Sequence, residues 1–347
     1  MVMGRERSEP EDGAQGGEVS DREGAPALPI TSGRLLQALA TKRRASFSPR
    51  PYCQIGLGAV SLIIPIDRQA FLMTDHPYAS APGGHPPQTQ ILSDRAVFTD
   101  AYAVIPKGVM RDIVTSYLPH WDKTRLWVIS RPLSGFAETF SQYIMEVAPG
   151  GGSDRPEPDP QAQAVLFVTA GEISLSLVGT TYTLAPGGYA YIPPATEWTL
   201  RSTGAEPARF HWIRKAYEKV EGLDTPPAFV SSDQEIDPTS MPGTEGQWAT
   251  TRFVEPTDLR HDMHVNIVTL QPGAVIPFAE THVMEHGLYV LEGKAVYRLN
   301  QDWVEVEAGD YMWLRAFCPQ ACYAGGPGPF RYLLYKDVNR HMKLGRP

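Results

Sequence analysis

Cysteine is scarce in this chain: three in 347 residues, Cys53, Cys318 and Cys322. That excludes a disulfide framework and points to a reducing, cytoplasmic setting. Positive charge is not in excess either. Lys and Arg number 31 against 39 Asp and Glu, a formal charge of −8, so no nucleic-acid partner is expected. No stable membrane span is expected, because no uninterrupted apolar run reaches the roughly 20 residues a spanning helix needs. The nearest candidate, 51–66, is uncharged and follows a stretch, 31–50, with five basic residues. It mimics a signal peptide, but it is internal and broken by Pro51 and Pro65. The His-Glu-x-x-His pattern of helical zinc proteases is also absent.

What the chain has is turn residues, 31 Gly and 32 Pro, and short strand-like runs between them. Gly287–Leu291 runs to a turn at Glu292-Gly293. Ala295–Leu299 runs to Asn300-Gln301-Asp302, and Trp303–Val306 to Ala308-Gly309-Asp310. Strands at 8–12-residue spacing predict an all-β antiparallel sandwich or barrel. Residues 1–30 are rich in Gly, Glu, Asp, Ser and Pro and poor in large apolar residues, so disorder is expected there. The expected organisation is an irregular extension over 1–90, a first barrel over 91–220, a Pro-rich connection over 221–246 and a second barrel over 247–347. The composition change also marks Met73 as a candidate natural start. A chain beginning at Met73 is expected to be soluble, to bind metal and to be active. Its insolubility would show that 51–66 packs on the barrels.

The barrels are expected to be copies. Val165–Val168 before Gly171 matches Leu288–Leu291 before Gly293, and Leu184–Tyr189 matches Val306–Tyr311. Phe210-His-Trp-Ile213 matches Phe330-Arg-Tyr-Leu333. From Gly171 to Gly293 and from Gly187 to Gly309 the offset is the same 122 residues. A period of that length means two copies of a domain, not a solenoid.

Residues 280–286 read Glu-Thr-His-Val-Met-Glu-His, and Gln320 follows 34 residues after His286. Glu280 and His282, two apart, would share one face of a strand. With His286 they resemble a metal site held on adjacent short strands, which suits an open catalytic centre. The repeat supplies a control. The positions 122 residues earlier are Pro158, Pro160, Ala164 and Trp198, and no side chain among them can hold a metal, so the fold alone does not demand ligands there. Two imidazoles, a carboxylate and an amide oxygen suit Mn²⁺ or Fe²⁺, leave two octahedral positions open, and give no thiolate for structural zinc. Cys318 and Cys322 flank Gln320 but have no second pair at finger spacing, and are read as packing residues.

The frame Glu280-x-His282-x(3)-His286-x(6)-Gly293, with Gln320 eleven residues after Gly309, matches the spacing of the two cupin motifs, with Glu and His exchanged. Cupins are small jelly-roll barrels, so the resemblance implies a bicupin, two tandem jelly-roll barrels. This permuted set in a second barrel resembles the (S)-ureidoglycine aminohydrolase family. So do Tyr297–Trp303 and Tyr332–Arg340. The likeness spans about 93–341 and is strongest over 261–340. It implies a manganese enzyme of purine (allantoin) breakdown that hydrolyses (S)-ureidoglycine to (S)-ureidoglycolate and ammonia. It also implies one Mn²⁺ per chain on Glu280, His282, His286 and Gln320; a homo-oligomer is expected. Glu280, Gln320, Tyr332 and Lys336 would contact the substrate, with Glu280, Tyr332 and Lys336 as the catalytic groups. Tyr332 and Lys336 lie an even number apart on one strand and share a face, so Lys336 can meet the substrate carboxylate while Tyr332 donates a hydrogen bond. Tyr297 is a weaker pocket candidate. His264 and Asn266 read equally as supports of the site or as structural polar residues.

Two alternatives stay open at this point. Glu280, His282 and His286 also satisfy the two-His-one-carboxylate triad of non-haem Fe(II) dioxygenases, although Gln320 would fill a position that oxygen needs. A non-catalytic cupin binding a small acid is the other; the intact ligand set and the lack of a helix-turn-helix segment argue against it.

Overall fold

The computed structural model describes residues 95–109, 118–133, 135–338 and 340. The extension over 1–90 and the Met73 boundary lie outside the described residues. Every regular element described is a strand. In chain order these are β1 (Val97–Phe98), β2 (Tyr102–Ile105), β3 (Asp122–Ser130), β4 (Ser141–Ser153), β5 (Ala162–Ala170), β6 (Ile173–Leu177) and β7 (Thr180–Leu184). Next come β8 (Gly188–Ile192), β9 (Trp198–Ser202), β10 (Ala208–Ala216), β11 (Phe229–Ser232), β12 (Thr239–Ser240), β13 (Trp248–Arg252) and β14 (Met263–Leu270). The last are β15 (Val275–Glu280), β16 (His286–Glu292), β17 (Lys294–Leu299), β18 (Asp302–Glu307), β19 (Tyr311–Leu314), β20 (Gln320–Tyr323) and β21 (Phe330–Asp337). Among the described residues no helix is long and apolar enough to cross a membrane.

The repeat is structural. β4 and β14 begin at Ser141 and Met263, β9 and β20 at Trp198 and Gln320, and β10 and β21 at Ala208 and Phe330, each pair 122 apart, so Phe330 corresponds to Ala208 and not to Phe210. Pairing repeats as well. β10 lies between β4 and β5 as β21 lies between β14 and β16. Alternating inward apolar residues close each barrel on its own core. Leu166, Leu175, Leu200 and Trp212 fill the first, and Val290, Tyr297, Val306 and Tyr332 the second. A third core, with Trp127, Phe140, Tyr189, Tyr311, Trp313 and Tyr335, seals the barrels against each other. The turn after β16 shows why Gly293 recurs in the repeat. Its φ is +80°, and a Cβ there would lie 2.2 Å from the Pro329 carbonyl oxygen, a contact only glycine avoids.

Two expected boundaries shift. β2 lies in the span expected to open the first barrel, yet it pairs antiparallel with β19 of the second. Asp310, fully buried, holds this arm by accepting hydrogen bonds from the Lys107 backbone N–H at 2.7 Å and from Arg95. The corresponding edge of the first barrel, β8, takes β11 instead. The 221–246 stretch is therefore more than a connection, since it supplies β11 to the first barrel and β12, which pairs with β13, to the second. Pairing the exposed edges β8 and β19 satisfies backbone groups that would otherwise be left open, and the connecting segments are the chain at hand to do it.

Candidate active site

Register determines what meets inside the second barrel. β13, β14, β21 and β16 run side by side, and directly paired residues point to the same face. One interior row is Arg252, Asn266, Leu334 and Leu288. The next is His264, Lys336 and His286. From the opposite sheet, Glu280 at the end of β15 pairs directly with Gln320 at the start of β20. These surfaces enclose a cavity of about 130 Å³, lined by Glu280, His282, His286, Gln320, Tyr332 and Lys336 among others. All six residues singled out in the sequence thus face one small space.

One detail departs from expectation. Glu280 is the last residue of its strand, after an irregularity between Ile276 and Glu280, and His282 sits just beyond it. His282 reaches the cavity from a loop, anchored where its carbonyl accepts the Phe317 N–H at 2.7 Å. Its Nε2 lies 3.3 Å from Glu280 Oε1, and its ring centroid 5.0 Å from that of His286. Among the described residues no three His, Cys, Asp or Glu side chains form a ready-made metal-ligating group; the fourth donor in this cavity, Gln320, is an amide. The donor set nevertheless fits a borderline-to-hard divalent ion. Burial, then the neighbouring His282 and Lys336, hold His286 down to about 3, so its imidazole is neutral and able to ligate.

Tyr332 is buried, and burial pushes its phenol far above the ordinary range, so it remains a neutral hydrogen-bond donor. Tyr297 lies in the core behind it and donates to the Tyr332 hydroxyl at 3.2 Å, which makes it a prop and not a lining residue. Burial, then the charge of Arg252, lower the Lys336 ammonium from its usual value. Cys318 and Cys322 are buried in the same core and unbridged.

Four further neighbours lie beyond the sequence-predicted set. Glu285, adjacent to His286, reaches away from the cavity to the first barrel. It accepts from the Glu138 N–H at 2.8 Å, the Thr139 N–H at 3.0 Å, the Thr139 hydroxyl at 2.6 Å and Trp313 Nε1 at 2.6 Å. Asp337 accepts the Glu285 N–H at 2.8 Å. Gly287 admits Phe140 of the first barrel, whose ring atoms would lie 2.7 Å from a Cβ there. Arg252, in the cavity wall, is the fourth. The position after His282-Val-Met was legible, but not that Glu285 ties the two barrels together.

The first barrel has a larger cavity, about 710 Å³, and Pro158, Pro160, Ala164 and Trp198 line it. The control positions therefore occupy the corresponding mouth, with none of the donors. Volume alone would favour this cavity; chemistry favours the smaller one.

Two barrels of one design, with Glu280, His282, His286 and Gln320 converging in the second, define a bicupin. The cupin domain family matches at residues 143–214 and 266–335, one match per barrel. An (S)-ureidoglycine aminohydrolase from Escherichia coli (strain K12) is 31% identical over 258 residues, spanning 73% of this chain and 95% of that protein. A protein named probable (S)-ureidoglycine aminohydrolase from Oryza sativa subsp. japonica is 34% identical over 228 residues, 65% of this chain and 71% of that protein. A crystal structure of a Pseudomonas aeruginosa protein described as glyoxylate-induced has 70% identity and a TM-score of 0.72, covering 78% of this chain and 99% of that one. The chain belongs to the (S)-ureidoglycine aminohydrolase family.

Proposed function

We propose that the second barrel hydrolyses (S)-ureidoglycine to (S)-ureidoglycolate and ammonia, with one Mn²⁺ as cofactor on Glu280, His282, His286 and Gln320. The observation that carries this reading is the convergence of those four donors with Lys336 and Tyr332 on one small cavity, against their absence from the corresponding cavity of the first barrel. When bound, the ion supplies Lewis acidity and a fixed point of attachment for the substrate. The chain's own groups do the rest. Lys336 offers positive charge to the substrate carboxylate. Tyr332, kept neutral by burial and held by Tyr297, donates a hydrogen bond. Glu280 and Gln320, cross-strand partners, bracket the reacting carbon, and Glu280 is the carboxylate placed to accept a proton there. The small volume of the cavity limits the occupant to a small molecule. The same reading makes the protein a cytoplasmic homo-oligomer serving purine (allantoin) breakdown, in keeping with its few cysteines.

The test is ammonia release from freshly prepared ureidoglycine, with and without added Mn²⁺, and identification of ureidoglycolate as the product. No ammonia above the uncatalysed rate under either condition would refute the proposal. Lys336→Met is expected to keep its metal and lose about ten- to a hundredfold in kcat/KM, since a hydrogen bond to a charged group is worth roughly 1.5–3 kcal/mol. Kinetics equal to wild type would show that Lys336 takes no part in binding.

A further inference from the structure

The cavity contains a second cation that the functional reading leaves unused. Arg252 ends β13, and its backbone register places it beside Asn266, on the same interior row as Leu334 and Leu288. All four line the cavity. Two of their polar atoms, Arg252 Nη1 and Asn266 Oδ1, are buried with no hydrogen-bond partner among the described residues. A buried donor or acceptor left unpaired is costly, and where its side chain lines a cavity a ligand that enters can satisfy it. No described carboxylate forms an ion pair with Arg252; the one carboxylate in the cavity wall, Glu280, faces His282. The cavity therefore carries two positive charges, Arg252 and Lys336, and its single acid is already engaged. That imbalance suits an anionic occupant.

The two cations differ in kind. An ammonium is a point charge, whereas a guanidinium is a planar fork that matches both oxygens of a carboxylate at once. Lys336 can attract the anion, but a fork fixes which way the carboxylate plane lies. We propose that Arg252 binds the substrate's carboxylate through its guanidinium fork, with Asn266 Oδ1 accepting an N–H from the same molecule. The pair would make the site selective for small compounds that carry a carboxylate and an amide-type N–H on neighbouring atoms. This rests on the ureidoglycine reading for the substrate but not for the ligand chemistry, and the experiment separates the two.

The probes are N-carbamoylglycine, which has the carboxylate and the ureido group but no amine to lose, and its carboxamide, which lacks the charge. Binding of each to the purified full-length protein is measured by calorimetry, for wild type, Arg252→Gln and Arg252→Lys. Wild type is expected to prefer the carboxylate by about tenfold or more, and Arg252→Gln to lose about ten- to a hundredfold in affinity for the carboxylate alone. Arg252→Lys should recover part of the preference but not all of it. In turnover, Arg252→Gln should raise KM for ureidoglycine more than it lowers kcat, with metal content unchanged. An unchanged preference in Arg252→Gln, or no binding of the carboxylate probe by wild type, would overturn the inference. So would a loss seen only as a lower Tm. If wild type binds the carboxylate probe through Arg252 yet releases no ammonia from ureidoglycine, the proposed reaction falls and the carboxylate site stands.

Discussion

Replacing His282 or His286 with alanine is expected to remove bound metal and ammonia release together, while the chain stays folded. Both imidazoles face a cavity and not the packed core, so their loss leaves the inter-strand pairing of β16 with β19 and β21 intact. The cost in stability should be about 1 kcal/mol. The cost in function should be far larger. Losing even an outer partner of a ligand typically lowers metal affinity or activity by about ten- to a hundredfold, and on the proposed assignment a ligand itself is lost. His286 should be the more sensitive, being buried on a strand, while His282 sits on a loop. Gln320→Ala should retain part of its metal, since an amide oxygen is a weak ligand. Elemental analysis beside circular dichroism reads both quantities, and full occupancy in both His variants would move the ion elsewhere.

Glu285→Ala is expected to lower Tm by roughly 4–6 °C. Glu285 is 6% exposed, and its two oxygens serve four donors, three of them on the Glu138–Thr139 corner of the first barrel and one on Trp313. Truncation leaves those donors facing an apolar gap, at about 1–3 kcal/mol for each one that water cannot reach. A total near 3 kcal/mol in a chain this size corresponds to a shift of about 4–6 °C. Activity should fall as well, because His286 is the next residue and the strand it opens is held on this side by the same carboxylate. Glu285→Gln, which keeps one acceptor, should fall between the two. Differential scanning calorimetry decides it, and a Tm within about 1 °C of wild type would mean that the latch is replaced by solvent.

The parts of this architecture that local chemistry controls were readable in advance. Strand periodicity and turn glycines at a constant offset exposed the duplication, and the strands of the two barrels repeat at that offset. The spacing of Glu280, His282, His286 and Gln320 brought all four to one cavity. What escaped depends on contacts between distant segments. Nothing in Tyr102–Ile105 specifies β19 as its partner, some 200 residues away; the choice comes from which sheet edge lies open once the barrels form. The irregularity that ends β15 at Glu280 leaves no mark in side-chain alternation, which predicts a strand through His282 where the chain has already left it. Arg252 did leave a signal. It follows Trp248 and Thr250 in strict alternation, and a charged residue at an inward position of a barrel strand invites the question of its partner. Glu285 left none, since its donors belong to the other barrel.

The most direct measurement titrates metal-free protein with Mn²⁺ and follows ammonia release from ureidoglycine at each addition. The expected result is no release at the start, a linear rise, and a break at one equivalent per chain, with His286→Ala flat throughout. Full activity before any metal is added, a break at two equivalents, or a rise in His286→Ala matching wild type would contradict a single metal-dependent centre in the second barrel.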